Sequence, residues 1–148
     1  MVDPSFSAVV RLLGANARFE ERCAGGLGSI HGLALKELLL LMHLEQAPNR
    51  RLSRVELAKR LYVSPSTVTR MTGPLEKLGR VAREPDSRDA RLAYVVLTDG
   101  GGELVANARA TLERMATETF RDRWSEAEIT TLADLLGRLT AGHPGDLG

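Results

Sequence analysis

The most constraining feature of the chain is the segment 52–98, which contains two helix starts followed by a basic hairpin. Ser53 followed by Glu56 forms a capping box, and Ser64 followed by Pro65 places an N-cap before a proline at the first helical position. The stretch 83–91 then carries three arginines around turn residues, and 92–97 has the composition of a strand. Two short helices about a tight turn, followed by such a hairpin, predict a winged helix-turn-helix.

The second helix of this segment has one apolar and one polar face. A buried stripe at helical spacing is predicted for Val68, Met71, Leu75 and Leu78. The opposite face carries Ser66, Thr67, Arg70 and Lys77. Hydroxyls and an arginine near a helix N-terminus suit the DNA major groove, where arginine can bond guanine O6 and N7 together. The alternative is ordinary first-turn polar residues, but the hairpin that follows favours DNA binding.

The charge distribution points the same way. The chain carries a formal net charge of only +1. Residues 50–91, however, hold eleven Lys and Arg against five Asp and Glu, whereas the rest of the chain holds nine against fourteen. A basic segment on an acidic body is the electrostatic pattern of a phosphate-binding surface. Candidates for phosphate contacts are Arg50, Arg51, Arg54, Lys59, Arg60, Arg80, Arg83, Arg88 and Arg91.

Three motifs in this region together resemble a known family. They are Ser64-Pro65-Ser66-Thr67-Val68-Thr69-Arg70, Asp86-Ser87-Arg88-Asp89-Ala90-Arg91 and Val95-Val96-Leu97-Thr98. The chain resembles the MarR family of bacterial transcriptional regulators from about Pro4 to Leu139, most specifically at the second motif. In that family the arginine matching Arg91 enters the minor groove, and the aspartate matching Asp89 orients it.

The resemblance implies double-stranded DNA as the partner and assigns contacts in both grooves. Positions matching Ser66, Thr67, Thr69 and Arg70 face the major groove in the family, and Asp86 and Arg88 match the wing motif. The resulting candidate DNA-binding residues are Ser64, Ser66, Thr67, Thr69, Arg70, Asp86, Arg88, Asp89 and Arg91. A winged protein-interaction module without DNA binding is the alternative, but such a module has no need of Arg88 and Arg91 at its tip.

Helices at both ends of the chain carry apolar stripes that need a partner. A helix beginning at Asp3-Pro4 has Phe6, Val9, Val10 and Leu13 on one stripe, and the run Gly25-Gly26-Leu27-Gly28 is expected to break it. A second, almost continuously apolar helix is expected from about Leu33 to Leu44. After the wing, Thr98 opens a long helix, and Ser125 with Glu128 begins the last one.

The resemblance implies that these terminal helices pair with those of a second subunit in a two-fold homodimer, the alternative being an intramolecular bundle. We therefore predict a mainly α fold with a small β-hairpin wing, a winged helix-turn-helix with dimerisation helices from both termini. Residues 1–32 and 99–141 would form the dimerisation helices, 33–98 the DNA-binding module and 142–148 a flexible tail.

Motifs of catalysis or metal binding are not found in the sequence. The three histidines form no HExxH pattern, Cys23 is the only cysteine, and no glycine-rich phosphate loop follows a strand. We expect no enzyme activity, no cofactor and no metal. The apolar second helix is too short to span a bilayer and no signal peptide is recognised, so we expect a cytoplasmic protein without a membrane partner.

The resemblance implies a small-molecule effector, for example an aromatic acid, bound between the dimerisation helices and the DNA module. Candidate lining residues by position are Phe19, His31, Met42 and His43, with core filling the alternative for Met42 and a cap or solvent position for His31. Redox sensing through Cys23 is a second option, and zinc binding by Cys23 with histidines a third. Cys23 is expected near a helix C-terminus, where the dipole disfavours a thiolate. The prediction is thus a ligand-released regulator, a repressor of a pseudo-palindromic operator.

Overall fold

Helices dominate the structure, a computed structural model that describes residues 1–89 and 92–148. A 3-10 turn at Pro48–Arg50 precedes the first strand. The helices are α1 (Pro4–His31), α2 (Leu35–Gln46), α3 (Arg54–Leu61), α4 (Pro65–Lys77), α5 (Asp99–Thr119) and α6 (Glu126–Thr140). The strands are β1 (Arg51–Ser53), β2 (Val81–Pro85) and β3 (Ala93–Leu97). This order confirms the predicted mainly α fold with a small β wing.

The three strands form an antiparallel sheet in the order β1-β3-β2. Because side chains alternate along a strand, one face of the sheet packs on the core and the other faces solvent. The core face is formed by Leu52, Val81, Val95 and Leu97, all buried. The outer face carries Arg51, Glu84 and Tyr94, whose contacts connect the strands to the turn of the wing.

The predicted helix starts are confirmed by their capping hydrogen bonds. Ser64 Oγ accepts the N–H of Thr67 at 3.2 Å, and Thr98 Oγ1 accepts the N–H of Gly101 at 3.0 Å. Ser125 and Glu128 form a complete capping box, in which each side chain accepts the other residue's N–H. Such caps satisfy backbone donors that have no partner within the helix.

The predicted break of α1 at its glycines is wrong. The helix continues through 25–28 to His31 and ends at Gly32, whose φ of 65° is left-handed. Gly26 faces α5 so closely that a Cβ there would lie 2.8 Å from Met115 Sδ, and Leu27 is fully buried. Packing of this segment against the core outweighs the unfavourable free energy of glycine in a helix, about 1 kcal/mol per residue relative to alanine.

The junction between the sheet and α5 is tightly packed. Thr98 Oγ1 donates to the carbonyl oxygens of Gly79 and Arg80 at 2.6 and 3.0 Å while it caps α5. A Cβ on Gly101 would collide with the carbonyl oxygen of Arg80 and lie 2.6 Å from Leu97 Cδ1. The glycine therefore allows α5 to begin directly against the loop that leads into β2.

Apolar side chains are exposed on both terminal helices. Among the described residues, none of α6 is buried, and α1 buries only Cys23 and Leu27 in its second half. The exposed apolar side chains on these two helices are Phe6, Val9, Val10, Leu12, Leu13, Ile30, Leu135, Leu136 and Leu139. They include the whole stripe that the sequence predicts for the first helix, Phe6, Val9, Val10 and Leu13.

The segment 142–148, predicted as a flexible tail, lies beside the turn between α3 and α4. His143 stacks on Tyr62 with ring centroids 4.0 Å apart, and the N–H of Gly145 donates to His143 Nδ1 at 2.9 Å.

In the described parts of the chain no single helix is long and apolar enough to cross a membrane. One bent pair, α1 with α2 at 71°, satisfies the length and composition test together.

Candidate nucleic-acid interface

The first half of α4 presents a polar surface. Ser64, Ser66 and Arg70 are exposed, and Thr67 and Thr69 are half-buried. On the opposite face Val68, Thr72 and Leu75 are buried, and Met71 packs against the core. Leu78, predicted to continue this stripe, instead lies 70% exposed, because α4 ends at Lys77 and the chain turns towards β2.

The hydroxyls of this polar surface form one hydrogen-bonded group. Ser64 Oγ lies 3.0 Å from Ser66 Oγ and 2.9 Å from Thr67 Oγ1. Arg70 donates from Nη2 to Thr67 Oγ1 at 3.1 Å, one helical turn away. The guanidinium of Arg70 is thus held along the helix surface, and Ser64 acts first as the N-cap of α4.

Arg54 is a further cation at this surface that sequence reasoning did not single out beyond its charge. It is the first residue of α3, and its Nη1 donates to Thr69 Oγ1 at 2.7 Å. Thr69 Oγ1 in turn donates to the carbonyl oxygen of Pro65 at 3.2 Å. Arg54 and Arg70 both bond neutral hydroxyls of α4, so two positive charges flank the first two turns of this helix.

Asp86 organises the turn of the wing. Its Oδ1 accepts the backbone N–H groups of Arg88 and Asp89 at 2.6 and 3.1 Å, and its Oδ2 accepts the Tyr94 hydroxyl at 2.9 Å. These bonds, the N–H of Arg88 first among them, lower the pKa of the Asp86 carboxyl. Arg88 is exposed at this turn. Ala90 and Arg91 lie outside the described residues, so the minor-groove role of Arg91 and its orientation by Asp89 stay predictions.

Several of the other basic side chains are paired with acids. Arg51 contacts Glu84 at 2.9 Å, Arg60 contacts Glu56 at 3.8 Å, and Arg83 contacts Glu76 at 3.7 Å. These pairs reduce the positive charge available on the module, as expected if only some of its cations meet phosphates. Exposed pairs of this kind contribute little to stability.

The four candidate effector residues are divided between two helices. Phe19 and His31 lie on α1, about 18 Å apart along the helix axis at 1.5 Å per residue. His31 Nε2 lies 2.8 Å from Thr111 Oγ1 of α5. Met42 is half-buried on α2, and the neighbouring His43 is 2% exposed, with burial lowering its pKa to about 4. Their assignment to an effector site stays a prediction.

Cys23 is fully buried in the middle of the second half of α1, eight residues before the helix ends at His31. The expected position at a helix C-terminus is therefore wrong. Burial instead raises the pKa of its thiol, more than the adjacent Arg22 lowers it. Within the described residues no group of three or more His, Cys, Asp or Glu side chains could hold a metal ion.

Comparison with known proteins places this geometry in a family. A model of the MarR family matches residues 33–92. The chain is 30% identical over 112 residues to the HTH-type transcriptional repressor YetL of Bacillus subtilis, covering 74% of this chain and 67% of YetL. The chain belongs to the MarR family. It is also 31% identical over 119 residues to an uncharacterized HTH-type transcriptional regulator of the same organism, YdgJ, covering 80% of this chain and 66% of YdgJ.

Solved MarR-family structures have the same fold. Sco3205 of Streptomyces coelicolor, in complex with DNA, superimposes with a TM-score of 0.82 at 25% identity, over 96% of this chain and 90% of Sco3205. Wild-type MarR of E. coli in its apo form gives 0.75 at 23% identity, over 94% and 97% of the two chains. As a MarR-family transcriptional regulator, the protein is not an enzyme.

Proposed function

We propose that this MarR-family protein is a repressor that binds a pseudo-palindromic DNA operator as a homodimer. The observation that carries the proposal is the exposed polar surface on the first half of α4, with Arg70 held by Thr67 and Arg54 beside it. The surface has the groups that read base edges and phosphates in a major groove. The exposed Arg88 on the wing supplies a second contact alongside it.

Two relatives support the assignment to DNA and to repression. Sco3205, which shares the fold along nearly the whole chain, was solved in complex with DNA. YetL and MdtR of Bacillus subtilis, 30% and 32% identical to this chain, are HTH-type transcriptional repressors. The proposed DNA-binding residues are those predicted from the sequence, Ser64, Ser66, Thr67, Thr69, Arg70, Asp86, Arg88, Asp89 and Arg91, with Arg54 added.

The exposed apolar stripes of α1 and α6 support the homodimer. An amphipathic helix with nothing on its apolar face is unstable in water, and a second copy of the same helices would cover both. We assign residues 1–32 and 99–141 to this contact and 33–98 to the DNA-binding module. Two recognition helices related by a two-fold axis would read half-sites about 34 Å apart, one turn of the duplex.

Release by a small ligand is the form of induction that we propose. An open cavity of about 470 Å³ lies between the start of α2 and α4, lined by Ala34, Lys36, Glu37, Thr67, Arg70, Met71 and Pro74. Lys36, Arg70 and the apolar side chains suit an aromatic acid, although Glu37 also lines the cavity, and a ligand there would compete with DNA for Arg70. This cavity is a different place from the one predicted from the sequence, since Phe19, His31, Met42 and His43 do not line it. Redox release through Cys23 is disfavoured, because the thiolate is the reactive form and this thiol is buried with a raised pKa.

The test is a gel-shift titration with an operator selected from a random DNA pool. Arg70→Ala should weaken binding by about 1–3 kcal/mol and relax the preference at one position of each half-site. Arg114→Ala removes an exposed arginine of α5 outside the DNA-binding module but within the range assigned to the dimer contact, so it is the control for loss of charge once sedimentation shows that it remains a dimer, and it should then bind as the wild type does. The free protein should sediment at twice its 16.1 kDa chain mass. Wild-type affinity in both Arg70→Ala and Arg88→Ala would refute the assigned surface.

A further inference from the structure

The outer face of the wing sheet carries a contact that crosses all three strands. Arg51 of β1 pairs with Val96 of β3, so it lies diagonally across from Tyr94. Its guanidinium carbon lies 4.0 Å from the centre of the Tyr94 ring. Its Nη1 also contacts Glu84 Oε1 at 2.9 Å, and Glu84 of β2 is the direct cross-strand partner of Tyr94. A diagonal pair of this kind lies within reach of long and aromatic side chains.

The Tyr94 hydroxyl extends this contact to the turn of the wing. It donates to Asp86 Oδ2 at 2.9 Å, while Asp86 Oδ1 accepts the N–H groups of Arg88 and Asp89. One continuous set of contacts therefore runs from β1, next to α3, through the ring of Tyr94 to the backbone of the wing turn. We call these four residues, Arg51, Glu84, Asp86 and Tyr94, the wing brace.

The side chains of the wing turn are mostly exposed, and two backbone hydrogen bonds close it, from Asp86 N–H to Leu92 O and from Leu92 N–H to Asp89 O, both at 3.0 Å. Arg83, Glu84 and Pro85 at the end of β2 are exposed, as are Ser87 and Arg88 in the turn. A loop with few buried contacts samples many conformations, and binding must then pay the entropy of ordering it. Tyr94 and Asp86 are half-buried, so their hydrogen bond is partly shielded from water.

We propose that Tyr94 and Arg51 are positioning residues for DNA binding, which hold Asp86 so that the wing turn presents Arg88 to DNA in one conformation. The inference rests on the proposed function. Neither residue needs to touch the DNA, since each acts through Asp86. An ordinary packing role would stabilise the fold without changing the order of the wing turn or the affinity for DNA.

Tyr94→Phe is the sharpest test, because it keeps the ring under Arg51 and removes only the hydroxyl. It should weaken operator binding about fivefold, the effect of losing one hydrogen bond. Tyr62→Phe is the matched control. It removes the hydroxyl of the other tyrosine, whose ring stacks on His143, and should leave the affinity unchanged. Tyr94→Phe should lower the melting temperature by no more than a few degrees, the effect of about one hydrogen bond, and Tyr62→Phe should melt as the wild type does.

A double-mutant cycle shows whether the effect passes through Asp86. In an Asp86→Ala background, the brace is already broken, so adding Tyr94→Phe should weaken binding no further. Arg51→Met should weaken binding by a similar factor and should likewise be silent in Asp86→Ala. Additive effects of Tyr94→Phe and Asp86→Ala on affinity would overturn the proposal.

A second measurement does not depend on DNA. In the free protein, the amide hydrogens of Arg88 and Asp89 should exchange faster in Tyr94→Phe than in the wild type, and at the wild-type rate in Tyr62→Phe. Unchanged exchange would overturn the brace, and faster exchange with unchanged affinity would overturn its role in DNA binding. If the wild type bound no operator, the proposed function would fail, while the exchange rates would still decide whether the brace orders the wing.

Discussion

Acidification should destabilise this protein through one buried imidazole. His43 lies within the core on α2, 2% exposed. Burial, and to a lesser extent the positive charge of Arg60, lower its pKa from 6.5 to about 4. Because the folded pKa is the lower one, the unfolded chain takes up the proton first as the pH falls. The stabilising contribution is therefore complete above pH 6.5 and is lost progressively as the pH falls towards 4.

The size of the effect follows from the two pKa values. The full difference between 6.5 and about 4 corresponds to roughly 3 kcal/mol of unfolding free energy. Between pH 7 and pH 5 the loss should be roughly 2 kcal/mol, since at pH 5 the unfolded imidazole is nearly all protonated and the folded one is not. The lowered pKa of Asp86 also makes stability depend on pH, but mainly near and below the ordinary pKa of a carboxyl. The loss of stability between pH 7 and pH 5 is therefore assigned to His43.

Urea unfolding followed by circular dichroism from pH 5 to pH 7, at one ionic strength and one protein concentration, measures this loss. His43→Leu fills the buried site with an apolar side chain and should flatten the pH dependence. His143→Gln removes a histidine of the tail and should keep the wild-type slope. The reasoning is refuted if His43→Leu loses as much stability between pH 7 and pH 5 as the wild type does.

Three further predictions concern two glycines and the thiol. Gly101→Ala should destabilise the fold by roughly 2 kcal/mol, because its Cβ would meet the carbonyl oxygen of Arg80. Gly25→Ala lies in α1 with open space around its Cβ position and should stabilise the fold by up to about 1 kcal/mol. Thermal melting should therefore show opposite changes in the melting temperature, and equal changes in the two variants would contradict both packing assignments. Cys23→Ala should release DNA as the wild type does, with and without peroxide. Peroxide release confined to the wild type in a gel-shift assay would make the protein a thiol sensor.

Local features of the fold could be predicted from the sequence, and features set by packing could not. The N-caps at Ser64, Thr98 and Ser125 were predictable because a cap and its N–H donor lie within three residues of each other. The continuity of α1 was not, because it depends on Met115 covering Gly26 from another helix. Leu78 was wrongly predicted to be buried, because the apolar periodicity of α4 does not show that the helix ends at Lys77.

The candidate interface divides in the same way. The polar surface of α4 was predictable from spacing along a single helix. The wing brace was not, because Arg51 and Tyr94 are separated by more than forty residues and meet only once β1 pairs with β3 in a defined register. A shift of that register by one residue would move Tyr94 to the other face of the sheet. The burial of His43 also could not be predicted. Because α2 is almost uniformly apolar, its sequence does not show which side of the helix faces the core.

The tight junction at Gly101 couples the orientation of α5 to the position of the wing. Its 21 residues correspond to a rod about 30 Å long, attached at one end to the loop before β2 and extending towards the proposed dimer contact. A tilt of about 5° at the far end would move the wing end by about 3 Å, close to the rise of one base pair. Because Gly101 is packed against the carbonyl of Arg80 at this junction, a change in the packing of the proposed dimer would be passed through α5 to the wing and would change its position along the groove.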